Sequence, residues 1–182
     1  MPNNFLITGP PGCGKSSIIH RTVKILESDG FKAGGVYCPE IRVAGERVGF
    51  KIIDVMDGKE GILAHVKQPF GPTVSKYRVN IQDLESIGVV AIEKALQAAD
   101  FLVIDEIAPM EGYSEKFVQA VERALDSEKP LLAAIHQWTT SGFIGNVKAR
   151  KDVVLFQVVG AERETLLRKL VELLKSAMAK AR

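Results

Sequence analysis

The sequence predicts an α/β fold with three layers, α/β/α, in which a mostly parallel central sheet carries a small antiparallel β excursion. Short apolar runs alternate with longer segments of helical periodicity, a pattern typical of a parallel sheet covered by helices. The chain has 182 residues, of which 46% are hydrophobic and 25% charged, close to the globular average. These values exclude disordered, collagen-like and low-complexity chains, and we expect one domain over residues 1–182.

The first elements are predicted around a glycine-rich segment near the start of the chain. An apolar run at residues 5–7 predicts a buried strand. Residues 15–28 predict a helix, because their apolar side chains fall on one helical face. Asp29-Gly30 is expected to end this helix, and a second strand is expected near residues 34–38.

The next stretch, residues 39–77, has the pattern of antiparallel strands. Residues 42–48 predict a hairpin about an Ala44-Gly45 turn, and Asp57-Gly58 predicts a further turn after the strand that follows. Irregular loops are expected around Pro69 and Pro72. Since no flexible linker flanks it, we expect a β excursion within the same domain.

Helices and strands alternate in the second half of the chain. Strands are expected at residues 101–104, 131–135 and 153–158. Helices are expected to begin at Asn80, at the capping residue Ser114, and at Glu162, the last one running to about Ala179. The last helix carries its acidic residues early and its basic residues late, which matches the helix dipole.

Charge and cysteine usage exclude several classes of partner and site. The 24 basic and 22 acidic residues give a net charge of +2, too balanced to indicate nucleic acid or an anionic membrane as the main partner. The two cysteines, Cys13 and Cys38, predict no disulfide framework and no zinc site. Because we find no signal-peptide pattern and no apolar run near the ~20 residues that span a bilayer, we expect a cytoplasmic protein.

A glycine-rich segment between the first predicted strand and helix matches the phosphate-loop pattern G-x-x-x-x-G-K-S/T. It consists of Gly9, Pro10, Pro11, Gly12, Cys13, Gly14, Lys15 and Ser16. The glycines allow consecutive backbone N–H groups to point at phosphate oxygens, and the helix adds its positive N-terminus. We expect Lys15 to reach the β- and γ-phosphates and the Ser16 hydroxyl to bind Mg²⁺. At Cys13 either the backbone alone matters or the thiol is a redox switch.

A pair of acids follows the predicted strand at residues 101–104. In open α/β sheets ligands bind at the carboxyl ends of strands, so Asp105 and Glu106 are expected to face the phosphate loop. We expect Asp105 to hold Mg²⁺ and Glu106 to orient or deprotonate a water aimed at the γ-phosphate. Such a pair also predicts a strand between the loop and the acids, for which residues 131–135 are the candidate. His136 would then be either a polar sensor near the γ-phosphate or a solvated loop residue.

Several basic and aromatic residues are further candidates for contacts with the nucleotide. Arg42 is expected either to approach the transferred phosphoryl group or to pair with Glu40 at the surface. Weaker candidates are Lys76, Arg78, Arg150 and Arg163, and the side chains that either stack on a base or pack in the core are Tyr77, Phe50 and Trp138. No N/T-K-x-D element is present, and nothing else in the sequence selects one base.

The combination of motifs resembles the nucleoside-triphosphate phosphatases of archaea and thermophilic bacteria, whose vertebrate relative is called cancer-related nucleoside-triphosphatase. The resemblance runs over nearly the whole chain. It is carried by GPPGCGKS at residues 9–16, E-x-R at 40–42, ERVGFKIID at 46–54, SKYRVN at 75–80, IDEIAPME at 104–111 and KARKDVVLF at 148–156. The chain departs from the family at Ala108 and Ser75, where the family usually has glycine, and at Glu162 before Arg163, where it usually has asparagine.

The resemblance implies a P-loop NTPase domain that hydrolyses ATP, GTP, CTP and UTP with Mg²⁺ to the diphosphate and phosphate, with slow turnover. It also implies two nucleotide-binding segments, to which we add Ser17 and Arg163. The first is the phosphate loop, and the second consists of Phe101, Leu102, Val103, Ile104, Asp105, Glu106, Ile107 and Ala108. We expect Lys15, Glu106 and Arg42 to be the catalytic residues of a monomer.

Two other functions use the same phosphate loop. A kinase passes the phosphoryl group to a hydroxyl or a nucleotide, and it needs an acceptor pocket that excludes water. The excursion, with Arg42, Arg47 and Arg78, would supply such a pocket. A regulatory nucleotide-binding module would instead hydrolyse slowly and be accelerated by a partner that reads its bound state.

Overall fold

A computed structural model describes residues 2–181, in which ten strands form one sheet. The strands are β1 (Asn4–Thr8), β2 (Ala33–Tyr37), β3 (Glu40–Val43), β4 (Glu46–Asp54), β5 (Glu60–His65), β6 (Thr73–Val74), β7 (Tyr77–Val79), β8 (Phe101–Ile107), β9 (Leu131–Ile135) and β10 (Val153–Gln157). Their order is β10-β1-β9-β8-β2-β4-β5-β7-β6, and β3 pairs with β4 outside this path.

The sheet has a parallel half and an antiparallel half. Strands β10, β1, β9, β8 and β2 run parallel, and the strands from β4 onward continue the sheet in antiparallel pairs. The predicted α/β fold and its antiparallel excursion are therefore confirmed. Strand β9 lies between β1 and β8, as predicted from the acidic pair Asp105 and Glu106.

Helices cover both faces of the parallel half. They are α1 (Lys15–Ser28), α2 (Ile81–Asp83), α3 (Val90–Ala98), α4 (Glu115–Asp126), α5 (Gly142–Lys148) and α6 (Arg163–Lys180), with a π-helical turn at Leu84–Val89 joining α2 to α3. Strand β8 shows how the two cores form: Phe101 and Val103 pack with α1 and α6, whereas Leu102 and Ile104 pack with α3 and α4. Because both faces are buried, the strand is a continuous apolar run.

The predicted helix boundaries follow from local chemistry. Helix α1 begins at Lys15 and ends at Ser28, as predicted, and Gly30 follows it with φ of 89°. The Asn80 side chain accepts a hydrogen bond from the Asp83 N–H at 3.0 Å. The Ser114 hydroxyl accepts one from the Phe117 N–H at 3.1 Å, so both predicted caps are confirmed.

Some elements differ from the predictions. Strand β8 continues through the acids to Ile107 instead of ending before them, with a register shift against β9 between Ile104 and Ile107. Pro69 and Pro72 lie in an irregular segment, as expected, but the excursion also contains the paired strands β5, β6 and β7, which were not predicted individually, and it runs to Val79. Helix α5 was not predicted. No helix within residues 2–181 combines the length and apolar character needed to cross a bilayer.

Candidate active site

The phosphate loop connects β1 to α1 and is closed by its own hydrogen bonds. Gly12 and Gly14 have φ of 78° and 99°, a conformation that favours glycine. The Cys13 N–H donates to the Pro10 carbonyl at 3.1 Å. The Lys15 ammonium donates to the Gly9 carbonyl at 2.7 Å, so the lysine side chain curls back over the loop. Cys13 is a free thiol.

Arg163, at the start of α6, lies against the loop on the side of β10. A Cβ atom added to Gly14 would stand 2.7 Å from Nη1 of Arg163, so the guanidinium covers the glycine directly. The side chain is otherwise exposed to solvent. The structure therefore brings the predicted Arg163 to the loop, at the edge away from β8.

The predicted metal ligands are brought together at the opposite edge. The Ser16 hydroxyl donates a hydrogen bond to the Asp105 carboxylate, and Nε2 of His20 lies 3.8 Å from Oδ2 of Asp105. Asp105 is buried, with 7% of its surface exposed. Burial raises the pKa of Asp105, and the Ser16 hydrogen bond and the charges of His20 and Lys15 oppose this rise.

Glu106 is half-buried next to this pair. Burial raises the pKa of Glu106 above its ordinary value, the Lys15 charge lowers it and the Asp105 charge raises it further. A carboxylate with a raised pKa is a stronger base than a solvated one, as a group that takes a proton from water requires.

These groups border one cleft with a volume of about 560 Å³. The loop residues between Gly9 and Ser17 border it, except Pro10 and Cys13, together with Asp105, Glu106 and Ala108. The remaining residues of the second predicted segment, Phe101, Leu102, Val103, Ile104 and Ile107, are fully buried. They hold the acids in place from within the sheet instead of presenting side chains to the cleft.

Arg42 does not border the cleft, although its ladder partner Arg47 does. Nε of Arg42 donates to Oε2 of Glu40 at 3.0 Å, and Nη1 donates to the Gly45 carbonyl at 2.8 Å. Nη1 of Arg47 donates to the other Glu40 oxygen at 3.1 Å, and Nε donates to the Tyr77 hydroxyl at 2.8 Å. Of the two geometries predicted for Arg42, the structure has the pairing with Glu40.

His136 and Trp138 border the cleft. Nδ1 of His136 shares a hydrogen bond with the Thr139 hydroxyl at 2.8 Å. Burial lowers the pKa of His136, and the charges of Lys148 and Lys15 lower it further, so the imidazole is neutral near pH 7. His136 therefore faces the cleft as an uncharged polar group.

Glu111 is a buried acid of the cleft to which the sequence analysis gave no role. It is 2% exposed, and its Oε2 has no hydrogen-bond partner within residues 2–181. Burial raises the pKa of Glu111 well above its ordinary value, and the charges of Glu106 and Asp105 add to this rise. Glutamate in a mostly apolar segment is the only signal that the sequence offers for such a residue.

We expect Glu111→Gln to change the pH dependence of stability. Since the pKa of Glu111 is raised on folding, its contribution is fully present below the ordinary glutamate pKa and is lost as pH rises through the folded value. The variant, which cannot ionise, should gain stability relative to wild type as pH rises, by about 1–3 kcal/mol at neutral pH and above. Urea unfolding at a series of pH values measures this.

Glu122→Gln on α4 is the matched control. Glu122 is exposed to solvent, so removing its charge should leave the pH dependence of the free energy of unfolding unchanged. A stability difference between Glu111→Gln and wild type that stays constant or shrinks as pH rises would contradict the expected titration.

Comparison with known proteins places this cleft in a family context. A family model described as NTPase matches residues 4–171. The nucleoside-triphosphatase THEP1 of Thermofilum pendens is 45% identical over 178 residues, which are 97% of this chain and 98% of that protein. The crystal structure of THEP1 from Aquifex aeolicus aligns with a TM-score of 0.80 at 28% identity, covering 94% of this chain and 99% of that one. The solution structure of a human cancer-related nucleoside triphosphatase gives a TM-score of 0.80 at 31% identity, covering 97% and 98%.

Proposed function

This chain belongs to the NTPase family and is a nucleoside triphosphatase, and from that premise we propose that it slowly hydrolyses ATP, GTP, CTP and UTP to the diphosphate and phosphate with Mg²⁺. One observation carries the proposal: a single cleft brings together Lys15, the Ser16–Asp105 pair and the half-buried Glu106.

The donor set supports a magnesium site shared between protein and substrate. Ser16 and Asp105 offer oxygen atoms, which Mg²⁺ prefers. Within residues 2–181 no group of three or more His, Cys, Asp and Glu side chains is placed to hold a metal alone. Mg²⁺ is typically bound by one or two protein oxygens, waters and substrate phosphates, so the pair fits this ion. When bound, the ion neutralises charge on the β- and γ-phosphate oxygens.

Glu106 and Lys15 have complementary tasks in the proposed reaction. Glu106 orients a water opposite the bond to the leaving diphosphate and accepts its proton. Lys15 exchanges its hydrogen bond to the Gly9 carbonyl for the phosphate oxygens, where negative charge is spread in the transition state. The loop N–H groups hold the polyanion while both act.

We expect slow turnover because the arginine that borders the cleft is already bound to other side chains. Among the described residues that border it, Arg47 is the only arginine, and it is bound to Tyr77 and Glu40. An arginine that reaches the transferred phosphoryl group is worth about 10³–10⁵ in rate. Without one, we expect the isolated protein to be a weak catalyst.

Phosphate release from the four nucleoside triphosphates tests the proposal directly. We expect rates within about tenfold of one another, because the sequence has no N/T-K-x-D element that would select guanine, and we expect EDTA to abolish them. A preference of more than about 100-fold for one base, or full activity in EDTA, would contradict the proposal.

A further inference from the structure

This inference rests on the proposed function. The two edges of the phosphate loop, one with Ser16 and Asp105 and the other with Arg163, set the direction in which a bound triphosphate lies. Ser16 and Asp105 would hold Mg²⁺, whose charge would stabilise the terminal phosphates, so we expect the γ-phosphate to point toward this pair and β8. The nucleoside then leaves on the other side, toward β10, where Arg163 covers Gly14.

The cleft continues beyond the γ-phosphate position, past Glu106, to the excursion. Its far half is bordered by Arg47, Phe50, Leu63 and Tyr77, all from strands β4, β5 and β7. The total volume of about 560 Å³ is within the ~300–1,000 Å³ range of ligand pockets. Since the nucleoside leaves in the opposite direction, this half is open to another molecule.

The far half has one accessible aromatic surface and one fixed cation: Phe50 is half-buried, whereas Tyr77 is buried, with 2% of its surface exposed. The rings of Phe50 and Tyr77 meet edge to face, with centroids 5.3 Å apart. The Arg47 guanidinium lies 5.3 Å from the centre of the Phe50 ring and 5.7 Å from that of Tyr77. Its hydrogen bonds to Tyr77 and Glu40 hold it in place. A rigid aromatic surface of this kind suits a planar ring.

The electrostatics of this half favour an uncharged ligand. Glu40 pairs with both Arg42 and Arg47, so these three side chains together carry one positive charge, against the two negative charges of Asp105 and Glu106. Glu40 also presents carboxylate acceptors beside guanidinium donors, as the edge of a heterocycle requires. Asp105 and Glu106, toward the loop, would repel an anion.

We propose that the far half of the cleft, bordered by Arg47, Phe50 and Tyr77, is a second ligand pocket that takes an uncharged nucleoside. The ring packs against the Phe50 side chain, and the sugar hydroxyls extend toward Glu106. A bound nucleoside stands where the attacking water would stand, so it lowers phosphate release without weakening triphosphate binding.

Calorimetric titration of adenosine, guanosine, cytidine and uridine tests the pocket. The protein is first saturated with Mg²⁺ and the β,γ-imido analogue of ATP, whose own affinity is measured separately. We expect at least one nucleoside to bind with a Kd below about 1 mM. We expect Arg47→Gln and Phe50→Ala each to weaken it by about tenfold or more and to leave the affinity for the analogue unchanged.

Lys51→Ala is the matched control. Lys51 follows Phe50 on β4 but pairs with Glu60 at 3.0 Å outside the cleft, so this variant should bind nucleosides as wild type does. The same nucleoside should lower kcat for phosphate release and leave the KM for the triphosphate unchanged.

Any of three results would contradict the proposed pocket. These are no nucleoside binding up to about 10 mM, an unchanged nucleoside affinity in Arg47→Gln and Phe50→Ala, or competition between the nucleoside and the ATP analogue. Failure of the analogue to bind wild type would instead refute the proposed function. In that case, titrating nucleosides into the nucleotide-free protein and its variants would still show whether the proposed pocket binds a nucleoside.

Discussion

Replacing Glu106 with glutamine is expected to lower phosphate release by about 10²–10⁴-fold, the usual contribution of a general base. Glutamine keeps the shape of the side chain but cannot accept the proton of the attacking water. Because the phosphate loop and the Ser16–Asp105 pair stay intact, the affinity for the magnesium–nucleotide complex should remain near that of wild type. Single-turnover phosphate release and equilibrium nucleotide binding measure the two quantities separately.

The pH profile distinguishes this role from a merely structural one. Glu106 acts as a base only when ionised, and burial raises its pKa above the ordinary value of 4.5. The wild-type rate should therefore fall as pH decreases through the raised pKa, and the residual rate of Glu106→Gln should lack that limb. The exposed Glu172→Gln on α6 is the control and should behave as wild type. Equal losses of binding and turnover in Glu106→Gln would disprove the assignment.

Replacing Lys15 with alanine is expected to impair both binding and turnover. The ammonium is the cation that borders the cleft within the loop itself, and a hydrogen bond to a charged group is worth about 1.5–3 kcal/mol. We expect nucleotide affinity to fall by about 10–150-fold. Turnover should fall by a further 10²–10³-fold, roughly, since negative charge on the phosphoryl oxygens is stabilised most in the transition state.

Lys24→Ala provides the control for the lysine experiment. Lys24 lies on the same helix, α1, but is exposed, so its loss should change neither quantity. Thermal unfolding of both variants checks that the fold is intact; Lys15→Ala removes a hydrogen bond to the Gly9 carbonyl within the loop. Wild-type affinity in Lys15→Ala would mean that the triphosphate does not bind in this loop.

The parallel half of the fold and one edge of the site were predictable from local sequence. Continuous apolar runs identify β1, β8 and β9 as strands buried on both faces. The phosphate-loop pattern places Ser16 at the start of the helix that follows β1, and the apolar run at residues 101–104 places Asp105 in the carboxyl-terminal part of β8; these positions lie at the same edge of the parallel sheet, which brings the two side chains together.

The antiparallel half was less predictable because its register depends on irregularities. Register shifts occur between Ile41 and Arg42 and between Phe50 and Lys51. A shift of one residue moves side chains to the other face of a strand, so simple alternation cannot tell that Arg47 borders the cleft. Glu111 was missed for a different reason: its burial arises from tertiary contacts of a short 3₁₀ turn, which no local pattern encodes.

The position of β1 in the sheet has a consequence for synthesis of the chain. Phe5 pairs with Leu132 on one side and with Val154 on the other, so both neighbours of β1 leave the ribosome long after it. Until then the strand has two free edges and apolar side chains on both faces, a nascent segment that needs shielding from aggregation. The phosphate loop is thus encoded near the start of the message, and we expect it to acquire its shape only near the end of translation. We expect chains released before residue 153 to carry the complete motif without a folded phosphate loop.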